Sequence, residues 1–81
     1  MNNITLHGHD GSKKWLKFVE GNTYKLEGEL TEYTRICYGD NDEIIFADPS
    51  GGPMLSVGDK VNDKTIIKIT TGKNGILIEL I

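Results

Sequence analysis

Cysteine is almost missing from this chain: Cys37 is the only one in 81 residues. A lone thiol excludes an intrachain disulfide. With only two histidines, His7 and His9, the chain also falls short of the roughly four soft ligands that a structural zinc site needs. No segment approaches the roughly 18 apolar residues of a membrane-spanning helix, and none near the start resembles the apolar run of a signal peptide. These absences predict a soluble protein of a reducing compartment, the cytoplasm, with no membrane association. Proline is confined to Pro49 and Pro53. Clustered base is lacking too: residues 27–63 hold nine acids against Arg35 and Lys60. An acidic middle argues against nucleic acid, where Lys and Arg supply most of the affinity, and suits a basic protein partner.

Ten glycines are present. They punctuate the chain at intervals of about ten residues, with short β-branched or aromatic runs between them, the signature of a sandwich or barrel of short strands. The runs predict strands over Ile4–His7, Lys13–Val19, Thr23–Leu30, Tyr33–Tyr38, Glu43–Ala47, Met54–Val57, Thr65–Thr70 and Ile76–Ile81. One run is ambiguous. Trp15, Leu16, Phe18 and Val19 also fit a helical stripe, with Ser12 and Gly21 as caps, so a short helix over 13–20 is the alternative. Eight residues is short for a stable helix, which favours the strand.

Asn74-Gly75 is expected to supply the positive φ values of a tight turn between the last two strands. Ile76, Ile78 and Leu80 fall on one face of the final strand, and Leu77 and Ile81 on the other. Apolar residues on both faces predict either a central strand or a homo-oligomer contact through Ile76–Ile81. A single domain over residues 1–81 follows, too small for two well-covered sheets. The expected fold is all-β, a partly closed antiparallel barrel of SH3-like or OB-like kind. A core of this size supplies little net stability, so tight packing or oligomerisation has to compensate.

Candidate chemistry is sparse, and each catalytic arrangement lacks a member. His7 and His9, two apart on a strand, can share a side and, with Asp10, start a metal site, yet no third histidine exists. A polar strand end running into a turn is the simpler reading. Cys37 lies two residues from Arg35, and a neighbouring cation can activate a thiol. A small buried hydrophobe fits Cys37 better. No catalytic residue, metal or cofactor is therefore assigned, and an enzyme is not expected.

The most distinctive binding element is Asp48-Pro49-Ser50-Gly51-Gly52-Pro53. Two prolines fix φ at its ends, and two glycines between them allow backbone conformations closed to other residues. Exposed N–H groups from Ser50 to Gly52 could cradle a small anion, as backbone nests do. A plain strand-connecting turn explains the same residues without a ligand. Among the aromatics, Tyr33 is singled out because it is expected to project with Arg35, and both are residue types enriched at binding hot spots.

The run Leu16-x4-Gly21-x2-Tyr24-x-Leu26, after a first strand and turn, resembles the opening of small barrel proteins encoded by phages and prophages. The segment Val57-Gly58-Asp59-Lys60-Val61, leading to Ile66-x2-Ile69 and Leu77-x-Glu79, resembles the Gly-Asp hairpin of SH3-like barrels. That pattern also occurs in periplasmic domains of pilus-assembly and secretion proteins, which are usually tethered to a membrane. The first resemblance implies a phage-encoded accessory protein in a bacterial or infected bacterial cell, one that binds and blocks a host or bacterial-defence protein. A second function class is an oligomeric sponge that buries a nucleotide-type signal near Ser50 to Gly52 with help from Arg35. A metal-dependent enzyme using His7, His9 and Asp10 is the third.

Overall fold

The computed structural model describes residues 2–7, 14–38, 45–48 and 54–81. Eight strands run through them: β1 (Asn2–His7), β2 (Lys14–Glu20), β3 (Thr23–Glu27), β4 (Arg35–Tyr38), β5 (Ile45–Asp48), β6 (Lys60–Val61), β7 (Lys64–Gly72) and β8 (Gly75–Leu80). No helix occurs among the described residues. Six strands form a sheet in the order β1-β2-β3-β8-β7-β6, with every pairing antiparallel. The sheet curls into a half-barrel, and the separate hairpin β4–β5 packs across it, with β5 against β1, β2 and β3. This is the all-β, small-barrel class that the strand-length runs predict.

Residues 14–20, for which a helix was the alternative, form β2. Its pattern is that of a strand with one buried face: Trp15 and Lys17 are buried, whereas Leu16 between them is 40% exposed. The strand is hydrogen-bonded on both sides, Leu16 pairing with Thr5 on β1 and Glu27 on β3. Two ladders supply cooperative backbone bonding that a two-turn helix could not match.

The inner face of the sheet collects Trp15, Leu26, Ile66, Ile76, Ile78 and Leu80, and the second layer adds Ile36, Ile45 and Ala47. β8 explains its own composition. It lies between β3 and β7, burying Ile76, Ile78 and Leu80 while Leu77 and Glu79 stay half-buried on the opposite face. Lys17 shares the inner face, and its ammonium sits 4.7 Å from the centre of the Tyr24 ring. A buried cation over an aromatic face recovers part of its lost hydration electrostatically.

Two turns differ from expectation. Met54–Val57 is not a strand. Only Leu55 enters the core there, its N–H donating to the Ile36 carbonyl at 2.7 Å. The chain then turns at once, because Asp59 Oδ2 accepts the Ser56 N–H at 2.8 Å and the Ser56 carbonyl accepts the Asp59 N–H at 3.0 Å. The missing strand is replaced by β6, tied to β7 through a two-residue turn with Asn62 at φ 46° and Asp63 at φ 67°. The β7–β8 turn also departs from the expected Asn-Gly centre. Gly72 pairs with Gly75, so Lys73 and Asn74 are the central residues, and neither has positive φ.

Candidate functional site

The β4–β5 hairpin brings together residues that are distant in sequence. Arg35, the first residue of β4, pairs with Asp48, the last of β5. The turn before β4 therefore adjoins Asp48 at one end of the hairpin. Just beyond the hexapeptide, Leu55 hydrogen-bonds Ile36. Asp48 and Leu55 thus both lie beside the start of β4. Pro49, Ser50, Gly51, Gly52 and Pro53 lie outside the described residues, as do His9 and Asp10 of the histidine motif. His7 ends β1, paired with Lys14. Among the described residues no group of three His, Cys, Asp or Glu could hold a metal ion.

Tyr33 stands on a tied-down turn rather than on β4 itself. The Thr34 N–H donates to the Thr31 carbonyl at 3.1 Å, closing the turn. Thr34 Oγ1 accepts the Thr31 N–H at 2.8 Å, and Thr31 Oγ1 accepts the Tyr33 N–H at 3.2 Å. Short hydroxylated side chains suit this position because they can bond the nearby backbone. Arg35 adds a clamp, its Nη1 donating to the carbonyls of Glu32 and Thr34, each at 3.2 Å. Tyr33 itself remains 62% exposed, and Met54 nearby in sequence to the anchored Leu55 is 63% exposed. The sequence-level pairing of Tyr33 with Arg35 thus has a specific form: Arg35 holds the turn and Tyr33 is what the turn presents.

The rest of the hairpin is structural. Tyr38 donates its hydroxyl to the Lys60 carbonyl, fastening the small sheet to β6. Cys37 is buried. Burial pushes its thiol above the ordinary range and the Asp48 carboxylate pushes it further, while Arg35 opposes them without prevailing. Such a thiol holds its proton, the opposite of an activated nucleophile.

A concavity on the large sheet was not legible in the motifs. A groove of about 1000 Å³ lies on the outer face of the large sheet, walled by Leu16, Lys25, Glu27 and Leu77 over a floor that includes Gly28 and Gly75. Its walls carry one ion pair, Lys25 Nζ to Glu27 Oε1 at 2.9 Å, with both side chains about half exposed. Three glycines, Gly28, Gly72 and Gly75, are among the residues that line the hollow, and at Gly72 the missing side chain leaves open space. Its sequence signal was the alternation itself: Leu16 and Leu77 are apolar at positions opposite in phase to the core.

Among the described residues no helix is long and apolar enough to cross a membrane. No protein-family model, curated protein or solved structure matches the chain.

Proposed function

We propose that this chain is a non-enzymatic binding protein whose contact surface is the end of the β4–β5 hairpin, and that its partner is a protein with a basic surface. The observation that carries this reading is Tyr33, 62% exposed on a turn whose backbone is fixed by the side chains of Thr31, Thr34 and Arg35. An exposed aromatic on a preorganised turn adds apolar contact at little entropic cost, which is how paratope tyrosines act. Glu32 beside it, and the excess of acid over residues 27–63, set the sign of the complementary surface. A small phage-encoded accessory protein that blocks a host or defence protein fits this description, and electrostatic attraction would speed its docking.

The test is affinity capture with crosslinking from bacterial lysate, run in parallel with the wild-type chain and Tyr33→Ala. A specific basic protein retained by the wild type, lost with Tyr33→Ala and released by salt, is expected. A failure to capture any partner, or a partner held equally by Tyr33→Ala, overturns the reading.

A further inference from the structure

The outer face of the large sheet carries two parallel rows of residues, fixed by strand register. One row runs Leu16, Glu27, Gly75, Gly72 across β2, β3, β8 and β7; the other runs Phe18, Lys25, Leu77, Thr70. Their neighbours in alternate positions, Trp15, Leu26, Ile76 and Ile78, point into the core. We propose that this face is the interface of a symmetric homodimer, in which the outer face of each copy lies on that of the other.

The two rows are complementary to each other. A two-fold axis lying in the interface, perpendicular to the strands and crossing β3 at Leu26, lays each row on the opposite row of the second copy. Glu27 then faces Lys25, Leu16 faces Phe18, and Leu77 enters the space above Gly75. Laid on itself without that reversal, the face would set Glu27 on Glu27 and Lys25 on Lys25. Charge therefore favours the reversed placement over direct superposition, and the contact is isologous, as in most small homodimers. Stacked twisted sheets cross at about 30°, so the contacts nearest the axis, Glu27 with Lys25 and Leu77 with Gly75, are the best preserved.

Gly72 gives independent support. Gly75 is required by the fold, because a Cβ there would meet the Leu26 carbonyl oxygen at 2.6 Å. Gly72 is not: its φ is not positive, and an added Cβ would meet only the Gly75 carbonyl oxygen, at 3.8 Å. Gly72 is the last residue of β7, beside the Lys73-Asn74 turn, and its bare backbone leaves this part of the outer face open to close approach by a second chain. The dimer also supplies the extra burial that an 81-residue chain without a disulfide lacks. It places the oligomer contact on the face of β8 that carries Leu77 and leaves the Tyr33 surface uninvolved.

Sedimentation velocity across micromolar concentrations tests the interface. The wild-type chain is expected to dimerise, and Gly72→Val, whose Cβ meets only the Gly75 carbonyl oxygen at 3.8 Å, to be a monomer with unchanged circular dichroism. Lys25→Glu and Glu27→Lys, each alone, should weaken dimerisation roughly tenfold or more by placing like charges together. Mixing these two variants in equal amounts should restore a one-to-one heterodimer in native mass spectrometry. That rescue cannot come from the internal Lys25–Glu27 pair, which is broken in both. A monomeric wild type, a dimer indifferent to Gly72→Val and to both charge reversals, or a monomer carrying a bound small molecule would overturn the proposal.

Discussion

Gly28 lies so close to the face of Trp15 that a Cβ added to it would overlap the indole Cδ2 and Cε3. The strand β3 ends at this contact, with the Gly28 N–H donating to the Asn74 carbonyl at 2.9 Å. Trp15 is fully buried, so the ring cannot swing aside. Gly28→Ala should therefore destabilise the fold by about 1–3 kcal/mol, the usual cost of overpacking. Gly72→Ala serves as the control: it meets no close atom and should be neutral or stabilising by up to about 1 kcal/mol in the monomer. Urea denaturation of both variants decides the matter. Equal midpoints would mean that the close approach does not exist.

The same tryptophan reports on the core. It is the only one in the chain and is fully buried, with no hydrogen-bond partner for Nε1 among the described residues. Its emission should be blue-shifted and resistant to acrylamide until the protein unfolds, with a transition that coincides with circular dichroism. Trp15→Phe should cost less than the about 3–5 kcal/mol of truncating a buried Trp to Ala. The smaller ring fills much of the site and removes a buried unpaired donor, itself a penalty of about 1–3 kcal/mol.

Cys37 ties stability to pH in the alkaline range. Its thiol is raised from an ordinary value of 9.0, first by burial and then by Asp48, with Arg35 opposing. Above that ordinary value the unfolded chain has already lost the proton while the native state keeps it. The native state then binds more protons, so stability must fall as pH rises through this window. Denaturation between pH 8 and pH 10.5 should show the decline, and Cys37→Ala should lose the part that this thiol contributes. At neutral pH the native thiol should react with a disulfide reagent far more slowly than the urea-unfolded chain.

Local signals carried much of the fold. Alternation in Ile76–Ile81 put Ile76, Ile78 and Leu80 on one face, which is buried, and apolar residues on both faces left a central strand or a subunit contact open; β8 lies between β3 and β7. The pairing of β3 with β8 was not legible, because its partners lie about fifty residues apart in sequence and no local preference encodes such a contact. The site was half legible. Tyr33 and Arg35 stood out by residue type, but the clamp that holds their turn depends on carbonyls of Glu32 and Thr34, which no side-chain pattern announces. The outer groove was missed because glycines were read as punctuation between strands, whereas Gly28, Gly72 and Gly75 also line a hollow on one face.

The β6–β7 turn was missed for a related reason, and it yields the simplest stabilising change. Asn62 and Asp63 both occupy the left-handed region, at φ 46° and φ 67°, as a two-residue hairpin turn of mirror-image type requires. Asn-Asp is a weaker signal for such a turn than Asn-Gly, since a Cβ crowds the following carbonyl there. Asp63→Gly relieves that crowding and should raise stability by roughly 0.5–1 kcal/mol, the entropy of the added glycine offsetting part of the gain. The exposed Asp63 side chain leaves little else to lose. Asp63→Ala keeps the Cβ but loses the short polar group that eases the left-handed conformation, and should be destabilising. Thermal denaturation of the pair checks this: the two substitutions should move the midpoint in opposite directions, and movement in the same direction would mean that φ at this position is not what limits the turn.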